Sequence, residues 1–332
     1  MSTAFRRAAP RHLLSIADLT PKELTTLVNN AIYHKTAIKN SNASSTFRSA
    51  LAGRTIGLTF NKRSTRTRIS TEGAVAAMSG HPMFLGKDDI QLGVNESLRD
   101  TSIVMSSMMA GLVARVGPHS DVEGLAKWSS VPVINALSDK FHPLQTVADY
   151  QTIAEHYGSD LRGLKVAWVG DANNVLFDLA IGAAKLGVHV AVATPKGYEI
   201  PQEMRSLIEK ANTDAGMGGS LVETTVPEEA VKGADILVTD TWISMGQEGE
   251  SAKRLKAFAG FQITEEMAKR GGANAGWKFM HCLPRHAEEV ADEVFYGQRS
   301  LVFPEAENRL WAAISVLEAF VVKGGKIEPV ST

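Results

Sequence analysis

Arg54-Thr55-Ile56-Gly57-Leu58-Thr59-Phe60, followed after three residues by Ser64-Thr65-Arg66-Thr67-Arg68, decides how this chain reads. The first stretch is short and apolar, which predicts a buried strand over 54–60. From Thr67 to Met78 the pattern predicts a helix that Gly80 ends. A strand that hands over to a helix is the repeating unit of a parallel sheet. A helix N-terminus presents unpaired backbone N–H groups at the positive end of its dipole, so it is a natural anion site. Ser64, Thr65 and Thr67 add hydroxyl donors and Arg66 adds a planar fork, a set suited to a phosphate. The plainer reading is a Ser/Thr cap followed by a solvated basic turn. It is weakened because helix N-termini prefer Asp or Glu to Arg.

Outward from this point the alternation continues. In the first half strands are predicted at 54–60, 82–85, 112–116 and 131–135, with helices at 67–78, 96–109 and 121–128. A helix over 145–156 has no obvious partner strand and reads as a rod between two domains. The second half restarts with strands at 164–169, 188–193, 234–239 and 278–281 and helices at 173–186 and 202–211. A Gly-rich loop spans 216–219. In the last helix, 305–322, Leu310, Ile314, Leu317 and Val321 fall on one face, which should be buried. The fold class is α/β: two doubly wound parallel-sheet domains joined by a long interdomain helix, with a returning C-terminal helix. No low-complexity linker separates the halves, which predicts close packing of the domains.

Composition bounds the function. The chain has 332 residues, a length that suggests two domains. Its net charge of −1 argues against a general nucleic-acid binder, so the basic run from Lys62 to Arg68 is a local feature aimed at something small. No apolar run approaches the ~18–20 residues of a membrane span. Cys282 is the single cysteine, which rules out an intrachain disulfide and suits a reducing compartment. Arg6, Arg7, Arg11 and His12 precede the first acid, Asp18. That bias fits the remnant of a mitochondrial transit peptide and fits a basic arm equally well.

Five clusters follow predicted strands, where ligands of open α/β sheets bind. They are the Ser64–Arg68 cradle, Arg115, His142-Pro143-Leu144-Gln145, Asp240-Thr241-Trp242-Ile243-Ser244-Met245-Gly246, and His281-Cys282-Leu283-Pro284. Taken singly, Arg115 reads as a surface charge, His142 as a turn residue and Cys282 as a small apolar filler. The turn Gly170-Asp171-Ala172-Asn173-Asn174 lacks the G-x-G-x-x-G pattern, so no nicotinamide cofactor is expected. Its asparagine amides suit the carboxylate or amine of an amino acid. No paired metal-ligand spacing occurs, so no metal is expected. His281 and Cys282 are adjacent on a strand and point to opposite faces, which argues against a cysteine-protease pair.

Taken together and in this order, the four motifs Ser64–Arg68, His142–Gln145, Asp240–Gly246 and His281–Pro284 resemble the transcarbamylase family, over most of the chain from His12 to Lys323. The first motif is shared with aspartate-using members, and the last two resemble the ornithine-using ones. Asn61 departs from the family, where many members carry Glu; a charge beside the cradle is lost but no phosphate donor. The resemblance implies attack by the δ-amine of L-ornithine on carbamoyl phosphate, giving L-citrulline and phosphate, a step of arginine biosynthesis and the urea cycle. It implies domains at 1–145 plus 309–332 for carbamoyl phosphate and 146–308 for ornithine.

The resemblance further assigns the phosphate to Ser64, Thr65, Arg66 and Thr67, with Arg115 adding charge. Thr67, Arg115 and His142 would stabilise the carbonyl oxygen. Gln145 and the backbone carbonyls near Cys282 and Leu283 would hold the substrate NH2, and Arg309 would bond the carbamoyl group. Gln91 would serve a neighbouring subunit's site, which implies a homotrimer. Asn174, Asp240, Ser244 and Met245 would bind ornithine. Asp240 and Cys282 would orient the amine, whose proton leaves either to the Cys282 thiol or to a phosphate oxygen. No cofactor is implied. Other amine acceptors (aspartate, putrescine, N-acetylornithine) and a catalytically silent binding module are the competing readings. The mitochondrial matrix is the expected compartment, with the cytoplasm as the alternative.

Overall fold

The computed structural model describes residues 9–87, 96–243 and 248–330. Two all-parallel sheets organise them. The first has the order β2-β1-β3-β4, built from β1 (Thr55–Phe60), β2 (His81–Gly86), β3 (Gly111–Arg115) and β4 (Val133–Leu137). The second has the order β7-β6-β5-β8-β9, built from β5 (Lys165–Val169), β6 (His189–Ala193), β7 (Ser220–Thr224), β8 (Ile236–Val238) and β9 (Lys278–Met280). β1, β3 and β5 are buried along nearly their whole length, as parallel strands covered on both faces must be.

Helices of the first lobe are α1 (Pro21–Lys39), α2 (Ser45–Arg48), α3 (Thr65–Ala77), α4 (Leu98–Met108), α5 (His119–Trp128) and α6 (Pro143–Tyr157). The second lobe carries α7 (Asn174–Leu186), α8 (Gln202–Ala215), α9 (Pro227–Val231), α10 (Ser251–Ala257), α11 (Glu265–Gly271) and α12 (Asp292–Phe295), and α13 (Val302–Leu317) leads back from it to the first. α6 is the predicted rod. Pro143 opens it at a position where a missing N–H costs nothing, and its first twelve residues are all buried. α13 runs back to pack on α1, α3 and α6, and its last turn widens into a π-helix over Glu318–Val322. Its face of Trp311, Ile314 and Leu317 is buried, each side chain contributing about 1.5–3 kcal/mol.

In both sheets the chain reverses its lateral direction at a central strand. β1 lies between β2 and β3, and β5 lies between β6 and β8. Loops leaving the carboxyl ends at such a switch point enclose a crevice. One apolar core runs through both lobes, from Leu58 on β1 through Val147 on α6 and Leu179 on α7 to Val190 on β6. The lobes are therefore closely packed, as the missing linker predicts.

Some boundaries differ from the sequence reading. α3 begins at Thr65 rather than Thr67, because Ser64 itself is the cap and its hydroxyl accepts from the Thr67 amide at 3.3 Å. α13 begins at Val302 rather than Glu305. α1 and the edge strand β7 are elements that the sequence reading passes over.

Candidate active site

The two switch points face each other across a cleft of about 930 Å³. From the first lobe come Ser64, Thr65, Arg66 and Thr67 at the head of α3, Arg115 at the end of β3, and His142 and Gln145 at the head of α6. The second lobe supplies Asn173 and Asn174 at the head of α7, Asp240 after β8, and Cys282 and Leu283 after β9. Arg309 reaches in from α13. Every described residue to which the resemblance gave a role thus lines one space. Gln91, Ser244 and Met245 lie outside the described residues.

Three guanidinium groups converge here. Arg309 is buried and donates to Gln145 Oε1 at 2.6 Å and to Thr67 Oγ1 at 3.4 Å. Arg115 is buried as well, and Arg66 reaches across the cleft to the Leu283 carbonyl. Among the described residues none of the three forms an ion pair with a carboxylate, and Nε of both Arg115 and Arg309 is buried without a partner. Burial lowers both Arg115 and Arg309 to about 10, and the other guanidinia push the same way. Unpaired cations this close repel one another, a repulsion that an anion between them would relieve. Arg68 is outside the group: it points away, pairing with Glu72 at 2.9 Å and stacking over Phe84.

His142 is buried beside these cations. Burial holds its pKa well below the ordinary histidine value, with Arg309, Arg115 and Arg66 adding to the effect, so the ring is neutral. Arg309 Nη1, which can only donate, faces His142 Nε2 at 3.4 Å. The ring proton then sits on Nδ1, which has no partner among the described residues. The His142 backbone amide donates to Asp178 Oδ2 at 2.8 Å, while Asp178 Oδ1 accepts from Ser15 Oγ and the Ile16 amide.

The opposite wall is acidic and polar. Asp240 is buried, accepting from Asn173 Nδ2 at 2.8 Å and from the Cys282 thiol at 3.1 Å. Burial, then the Asp240 charge, push the thiol pKa well above its usual value, so Cys282 is a protonated donor. His281 turns the other way: its Nδ1 accepts from the Leu283 amide at 2.9 Å and its Nε2 donates to Glu289 at 3.1 Å. That ring therefore stabilises Leu283 at φ 62, a conformation a leucine otherwise avoids. Asn174 Nδ2 donates to the Ser138 carbonyl at 2.6 Å.

The sequence reading missed several residues that build the site. Asn173, which the sequence reading offered to a ligand beside Asn174, has a further part that was not foreseen: it caps α7 and tethers Asp240. Arg254 on α10 pairs with Asp171 at 2.5 Å and donates to the Trp242 carbonyl at 2.5 Å, anchoring the segment that carries Asp240. Glu289 gathers the Trp242 amide, His281 and His286. Only Asn173, beside Asn174 at a strand end, carried a local signal; the others act through contacts distant in sequence. Among the described residues no cluster of His, Cys, Asp or Glu could hold a metal ion, and no helix is long and apolar enough to cross a membrane.

This geometry has counterparts. The family model for the carbamoyl-P binding domain of aspartate/ornithine carbamoyltransferases matches residues 11–155, and that for the Asp/Orn binding domain matches residues 162–320. The mitochondrial ornithine carbamoyltransferase of Aspergillus niger is 70% identical over 329 residues, which cover 96% of this chain and 89% of the relative. The ornithine carbamoyltransferase of Saccharomyces cerevisiae is 48% identical, with 98% of each chain covered. The crystal structure of a mitochondrial ornithine carbamoyltransferase from Coccidioides immitis superposes with a TM-score of 0.91 at 65% identity, covering 97% of this chain and 100% of that one. That of Pyrococcus furiosus gives 0.88 at 43% identity, covering 95% and 98%. A crevice rich in unpaired arginine on one lobe and in Asp, Asn and thiol on the other thus sits in a chain that belongs to the aspartate/ornithine carbamoyltransferase family.

Proposed function

We propose that the cleft binds carbamoyl phosphate on the first lobe and L-ornithine on the second and joins them. The reaction transfers the carbamoyl group to the ornithine δ-amine, giving L-citrulline and phosphate, a step of arginine biosynthesis. The observation that carries this reading is the meeting of Arg66, Arg115 and Arg309 without a carboxylate, opposite Asp240 and Cys282. A phosphate dianion neutralises the cations, while α3 offers its free amides and the hydroxyls of Ser64, Thr65 and Thr67.

Charge then develops on the carbonyl oxygen as the amine attacks. Arg115, His142 and the Thr67 hydroxyl are the donors we assign to it. Loss of one such donor typically costs about 3–4 kcal/mol of transition-state stabilisation. Arg66 donates to the Leu283 carbonyl. Phosphate draws that guanidinium away, freeing the carbonyls of Cys282 and Leu283 to accept from the carbamoyl NH2. Gln145 Oε1 adds a third acceptor, and Arg309 bonds the carbamoyl group.

Asn174 is oriented by one N–H to the Ser138 carbonyl, which leaves its oxygen for the α-ammonium of ornithine. Asp240 orients the diamine, with Ser244 and Met245 completing the pocket. Cys282 already donates to Asp240 and resists ionisation, so it orients the amine, and a phosphate oxygen takes the departing proton. This layout supports a carbamoyl phosphate domain of 1–145 plus 309–332 and an ornithine domain of 146–308, since α13 packs on α1 and α3.

The assembly we propose is a homotrimer in which Gln91 completes a neighbour's site. Exposed Ile69, Met83, Ile103, Val104 and Met108 on α3, β2 and α4 support an oligomer through the first lobe. The mitochondrial names of the fungal relatives support the mitochondrial matrix. Purified protein offered carbamoyl phosphate with ornithine, aspartate, putrescine or N-acetylornithine tests the function. Citrulline formation from ornithine far above turnover of the other amines supports it. Preference for another amine, or tight binding without turnover, defeats it.

A further inference from the structure

Behind Gln145 lies a pair of acids that the roles above leave unused. Asp149 stands one turn further along α6, and Glu305 sits in the first turn of α13; both are only 2% exposed. Their carboxyl groups are neighbours, since both accept from the Gln145 amide nitrogen. Two carboxylates this close repel, which favours the protonated form of one of them. Burial raises both above the ordinary carboxylate range, Glu305 further because Asp149 lies beside it.

The pair grips one side chain. Gln145 Nε2 donates one hydrogen to Asp149 Oδ1 at 2.8 Å and the other to Glu305 Oε1 at 3.1 Å. Its Oε1 accepts from Arg309 at 2.6 Å. An amide flip would set the oxygen against two acid oxygens and the NH2 against a guanidinium, so one orientation alone is satisfied. The second oxygen of Glu305 accepts from the His281 amide at 2.9 Å, the residue that precedes Cys282. Packing α6 on α13 requires none of this. Apolar side chains of similar volume serve helix packing at least as well as a buried acid pair.

We propose that Asp149 and Glu305 are positioning residues for carbamoyl transfer: they hold the Gln145 carboxamide with its oxygen toward Arg309 and the cleft, and tie it to the backbone that carries Cys282. The Gln145 oxygen is thereby presented only as an acceptor, which the carbamoyl NH2 needs and a carbonyl oxygen would repel. The pair moves no proton in the reaction. Its effect passes through Gln145.

The inference rests on the carbamoyl-transfer reading, and a double-mutant cycle in the citrulline assay tests it. Asp149→Leu should lower kcat/KM for carbamoyl phosphate by about 100-fold, the usual effect of a misplaced contact, and leave the KM for ornithine little changed. Asp149→Asn keeps an acceptor for Gln145 and a fixed hydrogen for Glu305, so it should restore most of the activity. In a Gln145→Ala background Asp149→Leu should cost little more, because no amide is left to hold. Glu305→Leu enters the same cycle with the same expectation, should Asp149→Leu fail to fold. The proposal is overturned if the acid substitutions cost as much without Gln145 as with it, if Asn harms as much as Leu, or if none reduces activity. Wild-type enzyme that makes no citrulline would instead remove the reading beneath it.

Discussion

Burial beside Arg309, Arg115 and Arg66 leaves His142 no means of carrying a second proton. In the unfolded chain the same ring titrates near 6.5. Below that pH the unfolded state gains a proton that the folded state refuses, so this residue's contribution to stability falls as pH drops. The slope is about 1.4 kcal/mol per pH unit for one such group. Denaturant unfolding at pH 7.5 and 5.5 should therefore show a smaller acid loss in His142→Gln than in the wild type; an identical loss would mean the ring charges in place. At this scale the sequence was most legible where chemistry sits at a strand end: Arg66, Arg115, His142, Asp240 and Cys282 all reach the cleft. Asp149 and Glu305 were illegible, because a buried acid on a helix declares itself only through the neighbour it touches. Arg68 shows the converse, sharing the motif yet turning to Glu72.

Elements were legible where burial is two-sided and failed where it is not. β1, β3 and β5 read as apolar runs and are buried strands. β7 is half exposed along an edge, and its residues Ser220, Glu223 and Thr224 hide the strand pattern. α1 carries a capping box of Thr20 and Glu23 with Pro21 at its first position, a signal present in the sequence but passed over. The turn after β5 depends on Gly170. Its φ is 146, and a Cβ there would lie 2.8 Å from Thr239 Oγ1 and 3.1 Å from Trp242 Nε1. Gly170→Ala should destabilise the protein by roughly 1–3 kcal/mol through backbone strain, and displace the Asp240 segment. Urea unfolding together with the KM for ornithine checks this; stability and KM both unchanged would show that the turn tolerates a side chain.

Across the whole molecule, one core links the two sheets, so the half-sites are held in register by α6 and α13 rather than by a linker. Apolar side chains remain uncovered on the first lobe, Ile69 at 66% and Met108 at 68% exposure. Light scattering should report a trimer for the wild type and smaller species for Ile69→Glu combined with Met108→Glu; an unchanged mass would remove this face from the interface. The central claim, that each lobe serves one substrate, is tested most directly by the separate KM values of Arg66→Ala and Asp240→Ala in the citrulline assay. Arg66→Ala should raise the KM for carbamoyl phosphate by about 100-fold and leave ornithine within a small factor, while Asp240→Ala does the reverse. Equal losses toward both substrates in both variants would contradict the account.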